Sequence, residues 1–239
     1  MAITTITHEI DLFDSLVAVG IQLTADTAFT GAQRPLHNGD VTAFATFLAR
    51  ARQLSPHWNG SFTTHMHLAV ALVKAMTSRL NLPAEDQFLT SFQILAHDVG
   101  RLLTHRVVTN EVRGRELLRA MNFVSPFDDI HFGWSYWTGD IFSPSMRHHR
   151  DRIVVLADQF GKPSECGPHV RTIDEAFSSV RSLTTRYAGN HDPEFLSNAS
   201  KAQERCTLAI EASLEWLHSE GVDFDDVRNA ASGACQHLF

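Results

Sequence analysis

Histidine and aspartate stand side by side at His97-Asp98, directly after the largely apolar run Phe92-Gln93-Ile94-Leu95-Ala96. Both side chains are good ligands for one divalent cation, because imidazole nitrogen and carboxylate oxygen each bind Zn, Mn or Fe. Gly100 follows almost at once and allows the backbone to turn tightly beside a metal. A second pair, His191-Asp192, precedes Pro193 and is typical of a polar turn. The first pair is therefore the stronger candidate for metal chemistry.

The elements that must position this pair are predicted to be helices. Apolar residues recur at i, i+3, i+4, i+7 along most of the chain, and no segment alternates convincingly with the period of two that marks a strand. We therefore predict an all-α fold, with loops over residues 20–40, 132–146 and 161–168. The predicted helices span residues 10–19, 41–54, 62–80, 83–97, 110–121, 152–160, 172–187 and 195–218.

Length and composition indicate one globular domain, with or without a terminal extension. The chain has 239 residues, 44% hydrophobic and 20% charged, which is enough for a sizeable core. The net charge of -7 argues against nucleic acid or an anionic membrane as the main partner. No apolar run reaches the roughly 18 residues of a membrane-spanning helix, and residues 1–7 lack the pattern of a signal peptide.

The cysteine and histidine content indicates the expected redox compartment and the expected kind of site. Cys166, Cys206 and Cys235 are widely spaced and form no CxxC pattern, so a reducing cytoplasm is expected. Histidine is unusually frequent, with 14 residues in the chain. This excess favours a metal site or an acid–base site.

Four parts of the sequence, taken in order, resemble the HD superfamily of metal-dependent phosphohydrolases. His67 lies on the helix before the one that ends in His97-Asp98, and Asp158 closes the later run Ile153-Val154-Val155-Leu156-Ala157. Between them, Gly114-Arg115-Glu116-Leu117-Leu118 looks like the Gly-x-Glu-Leu-Leu segment of that superfamily. The resemblance covers about residues 60–180.

The resemblance implies an HD-like helical bundle over residues 56–190. It leaves a helical extension at 1–55 and a second one at 191–239, which we expect to pack on the same domain. The long C-terminal helix could also mediate a homodimer, although burial in its own domain explains the same apolar stripe.

The resemblance also implies a site for one divalent cation, which could be Mn, Fe, Zn, Ni, Co or Mg. Such a cation activates water for attack on phosphorus. The implied activity is hydrolysis of a nucleotide or another small phosphorylated substrate, in which Asp98 orients the water and Arg101 donates hydrogen bonds to the phosphate. The implied metal ligands are His67, His97, Asp98 and Asp158.

One ligand assignment stays open in the sequence. His65 and His67 are two residues apart, hence about 200° apart around a helix, and they cannot share a face. The spacing to His97 and the register of Arg79-Leu80-Asn81-Leu82 favour His67, with His65 as the alternative.

Residues 153–160 and 172–177 are similar to the end of HD-GYP domains, which degrade cyclic di-GMP at sites of two or three metals. Asn110 and Trp134-Ser135 stand where that subfamily has further histidine ligands, and the Gly-Tyr-Pro motif is absent. The missing second-metal ligands argue against cyclic di-GMP hydrolysis and favour a single metal. His148-His149 is the available substitute for them.

Two other functions compete with hydrolysis. A degenerate domain that binds a partner without turnover, as the similar HDOD regulatory domains do, would explain the residues at 110 and 134–135. An HD-type diiron oxygenase is the further alternative, and the missing second-site ligands argue against it. Because fold does not determine function, the sequence leaves these alternatives to experiment.

Overall fold

Helices make up almost all of the secondary structure in the described residues of the computed structural model. It describes residues 11–21, 38–57, 60–104, 107–121, 149–164, 167–186, 189 and 193–235. The helices are α1 (residues 11–21), α2 (Asn38–Leu54), α3 (Gly60–Arg79), α4 (Ala84–Ala96), α5 (Val107–Ala120), α6 (His149–Phe160), α7 (Ile173–Arg181), α8 (Leu183–Arg186), α9 (Pro193–Ser219) and α10 (Phe224–Cys235). A 3-10 helix (Val99–Leu102) follows α4, and strands β1 (Pro163–Ser164) and β2 (Gly167–Val170) follow α6.

The all-α class predicted from the apolar periodicity is confirmed. None of the described helices is both long enough and apolar enough to cross a membrane.

Three local predictions differ from the structure. The single helix predicted over 172–187 is divided into α7 and α8, because the chain turns at Ser182. The loop predicted over 161–168 contains β1, which pairs with β2 in an antiparallel arrangement that sets Pro163 opposite Val170. Helix α10 lies within the helical extension predicted over 191–239 but was not predicted as a separate helix.

The chain divides into two compact units, and the first combines Met1–Gly60 with Leu95–Gly133. In this unit the 3-10 helix packs on α5. The rings of Phe44 and Phe47 on α2 lie 5.6 Å apart, and both are fully buried. Buried aromatic residues therefore anchor α2 in this unit, and α5 supports the 3-10 helix.

The second unit combines Ser61–Ile94 with Trp134–Phe239. Helix α6 is buried at every position from Ile153 to Phe160, and α9 packs along it. Because this part of α6 is enclosed, its first five residues (153–157) form a continuous apolar run rather than an amphipathic stripe, and only Asp158 and Gln159 among the buried residues are polar. At its end, the rings of Phe160 and Phe224 lie 4.4 Å apart and join α6 to α10.

Candidate metal centre

Asp158 is a buried carboxylate near the end of α6, with 7% of the residue exposed. Its Oδ1 lies 3.5 Å from His65 Nε2 on α3 and 3.5 Å from Lys162 Nζ. Its Oδ2 accepts a hydrogen bond from the Gln159 side-chain amide. Burying a carboxylate is costly unless it is paired or hydrogen-bonded, so the hydrogen bond from Gln159 and the two nearby nitrogens explain how Asp158 is tolerated in the interior.

Helices α3 and α6 come close together because small residues meet where they pack. A Cβ on Gly161 would lie 2.7 Å from Ala69 Cα and 2.8 Å from Ala69 N, which is closer than real Cβ contacts come. Ala69 is four residues after His65 and therefore lies on the same face of α3. The face that meets Gly161 thus also presents His65 to Asp158, three residues before that glycine.

The same geometry distinguishes the two histidines of α3. His65 is buried, with 5% of the residue exposed, whereas His67 is exposed. His65 therefore replaces His67 as the candidate first ligand. The sequence does contain the relevant spacings, from His65 to Ala69 and from Asp158 to Gly161. They identify His65 only when α3 and α6 are known to pack together at Ala69 and Gly161.

His97 and Asp98 follow the end of α4 directly, and both are buried, with 6% and 9% of the residue exposed. His97 Nε2 lies 3.6 Å from Asp98 Oδ2. Arg101 Nε donates to the same Asp98 oxygen at 2.7 Å, and the Arg101 backbone N–H donates to Asp98 O at 2.9 Å. Arg101, which the sequence predicted to contact the substrate phosphate, is thus engaged with the predicted ligand carboxylate.

The segment after His97-Asp98 is held in place by tight packing in the first unit. A Cβ on Gly114 of α5 would lie 3.1 Å from Val99 Cγ1 and 3.2 Å from Gly100 N, so the glycine allows α5 to approach the 3-10 backbone. At the other end of the 3-10 segment, Ser55 Oγ donates a hydrogen bond of 2.6 Å to Leu102 O. Gly114, the first residue of the Gly-x-Glu-Leu-Leu stretch, therefore helps to position the segment that follows the His-Asp pair.

Three of these side chains could hold a metal ion. His65, His97 and Asp98 each offer one ligand atom, and these atoms lie within 4.8 Å of one another. All three residues are buried. Two imidazoles and a carboxylate suit Zn, Fe, Mn, Co or Ni better than they suit Mg, which prefers oxygen ligands. Asp158, the fourth predicted ligand, contacts one member of this group, His65.

The other sequence candidates fall elsewhere. His149 begins α6, and its Nε2 lies 3.6 Å from Asp86 Oδ2 on α4. Arg150 Nη1 lies 3.9 Å from the other oxygen of Asp86. His149 is therefore paired with a carboxylate that the metal prediction did not include. His148 and Trp134-Ser135 lie outside the described residues.

No family model matches this chain, and comparisons with curated proteins and with solved structures also find no match. The resemblance to HD phosphohydrolases consequently stays a prediction, and the site has to be interpreted from its own chemistry.

Proposed function

We propose that the chain is a metal-dependent phosphohydrolase of the HD type, which cleaves a nucleotide or another small phosphate ester. The observation that carries this proposal is the buried group His65, His97 and Asp98, whose ligand atoms are close enough to share one cation. Buried histidine and aspartate next to one another are expensive to maintain for structure alone, since charged groups lose hydration in the interior. A bound cation would compensate that cost.

The proposed ligands are His65, His97, Asp98 and Asp158. When bound, the cation supplies a nucleophilic hydroxide near neutral pH and polarises the phosphate. The two imidazoles contribute nitrogen donors without charge, and the two carboxylates together match the double charge of the ion. Arg101 holds one oxygen of Asp98 at 2.7 Å, so its role in this scheme is to orient that carboxylate.

A second candidate function is binding of a partner or nucleotide without turnover. The ion pairs at the two aspartates favour it: Arg101 contacts Asp98 at 2.7 Å, and Lys162 Nζ lies 3.5 Å from Asp158. Basic side chains can balance buried carboxylates in a domain that has lost its metal. The two candidates differ in whether metal binds and in whether phosphate esters are cleaved.

Metal analysis of protein purified without chelator, followed by a turnover screen, tests the proposal. We expect about one divalent ion per chain, and phosphate release from nucleotides or p-nitrophenyl phosphates in the presence of Mn²⁺. Asp98→Asn keeps the shape of the side chain but removes its charge, so metal content and turnover should each fall by roughly a hundredfold or more.

Asp174→Asn is the matched control, because Asp174 is an exposed aspartate in the first turn of α7. It should behave like the unmodified protein. Bound metal without any turnover would favour the binding module, and turnover that survives in Asp98→Asn would exclude this site as the catalytic centre. Two irons per chain would instead favour the diiron oxygenase.

A further inference from the structure

Lys162 lies two residues after the end of α6 and extends its side chain back towards Asp158. Its Nζ is 3.5 Å from Asp158 Oδ1 and donates a hydrogen bond of 3.2 Å to Gln159 Oε1. The side chain is 33% exposed, so most of its surface is covered by protein. Lysine side chains commonly bury their aliphatic stem in this way while the charged end stays accessible.

The position of Lys162 is fixed from both sides. Gly161 N donates to Ala157 O at 2.9 Å, and the packing of Gly161 on Ala69 leaves no room for a Cβ. Strand β1 begins directly afterwards at Pro163 and is paired with β2. The ammonium group is therefore presented beside Asp158 by an ordered turn.

Charge balance at the proposed centre calls for such a cation. Asp98 and Asp158 carry two negative charges, which a divalent metal neutralises. A phosphate ester brings one or two further negative charges, and these need additional positive partners in a partly buried site.

Lys162 fits this role better than Arg101 does. Arg101 is committed to Asp98 through a short contact of 2.7 Å, whereas Lys162 lies 3.5 Å from its carboxylate. An ammonium on a flexible four-carbon stem can also turn towards a new anion while its backbone stays in place. Of these two cations, Lys162 thus has the longer contact with its carboxylate.

We propose that Lys162 binds the phosphate group of the substrate, as the positive partner that complements the metal. This inference rests on the proposed function and deepens it by naming a residue for substrate binding. The ligand chemistry is a phosphate oxyanion, which a monoester or a diester could supply.

Binding of inorganic phosphate to the full-length, Mn²⁺-loaded protein tests the inference by calorimetry. We expect Lys162→Met and Lys162→Gln to bind Mn²⁺ within about threefold of the unmodified protein but phosphate about ten- to a hundredfold more weakly, as expected for loss of a hydrogen bond to a charged group. Lys162→Arg should keep most of the phosphate affinity. Lys201→Met, at an exposed lysine of α9, is the matched control and should change neither affinity.

Steady-state kinetics then identify the source of the phosphate. A rise in KM of Lys162→Met for p-nitrophenyl phosphate indicates a monoester, and a rise for bis-p-nitrophenyl phosphate indicates a diester. Unchanged phosphate affinity in both neutral variants would overturn the inference and leave the proposed function standing. Loss of Mn²⁺ in both would show that Lys162 positions Asp158 instead, which also overturns it. Failure of the unmodified protein to bind Mn²⁺ would overturn both proposals.

Discussion

At the scale of single residues, the contact between His65 and Asp158 is the feature that most constrains function. Asp158 is a residue with 7% exposure; its carboxylate accepts a hydrogen bond from Gln159 and lies 3.5 Å from His65 Nε2 and from Lys162 Nζ. Each of these side chains contacts an oxygen that a metal would also use. We therefore expect metal binding to change the contacts that His65, Lys162 and Gln159 make with Asp158.

The pair His65 and His67 offers a matched test of the candidate ligand set. His65→Ala should weaken Mn²⁺ binding at least ten- to a hundredfold, because it removes a nitrogen ligand beside Asp158. His67→Ala should change the affinity less than twofold, since His67 lies on the exposed side of α3. Titration calorimetry with Mn²⁺ measures both. The opposite ranking would restore His67 as the ligand.

The sequence alone predicted the His97-Asp98 pair and Asp158, because each stands at the end of an apolar run that is easy to recognise. It favoured His67 over His65 on spacing, but the choice depends on which helix face meets a partner, and that cannot be inferred from one helix alone. The face was set by Ala69 and Gly161, two residues without functional groups. Steric fit between helices leaves little trace in a pattern of residue types.

At the scale of elements, the approach of α6 to α3 depends on Gly161. Replacing it with alanine would place a Cβ 2.7 Å from Ala69 Cα on α3 and still closer to Ala157 O of α6 itself, so the substitution disturbs both the end of α6 and its contact with α3. We expect Gly161→Ala to lower the free energy of unfolding by about 1–3 kcal/mol, the usual cost of overpacking. Urea denaturation followed by circular dichroism measures this change.

Gly233 in α10 is the control for that substitution. A Cβ there would meet nothing within 4 Å, and alanine is a better helix former than glycine by about 0.5–1 kcal/mol. Gly233→Ala should therefore stabilise the protein slightly. If both alanine variants were equally stable, the close contact of α6 with α3 would be contradicted.

The longer helices were predictable because they repeat an apolar face every three to four residues. Most of the elements that were missed are short. Strands β1 and β2 have two and four residues, too few for a period of two to show. Helix α8 has only four residues. Tertiary contacts define such short elements more than periodicity does. Helix α10 is different, because it buries Phe224, Val227 and Ala231 at the spacing i, i+3, i+7, so the sequence did contain the helical pattern that was overlooked there.

At the scale of the whole molecule, the net charge of -7 and the buried acidic groups favour a cation as ligand over a polyanion. A cation that binds only the native chain must stabilise it by mass action. At a free metal concentration of 100 times Kd, the gain is about 2.7 kcal/mol. For a chain of this length that corresponds to a rise in Tm of roughly 5–10 °C.

Differential scanning calorimetry with Mn²⁺ or Ni²⁺, with and without a chelator, measures this rise. We expect the chelator to remove it and Asp98→Asn to abolish it, because the variant lacks the charged ligand of the group His65, His97 and Asp98. A rise that persists in Asp98→Asn would come from metal bound elsewhere on the acidic surface. The stability of this variant without metal also separates the two functions. If the aspartate serves only its ion pair with Arg101, its loss should lower Tm in the presence and absence of metal alike.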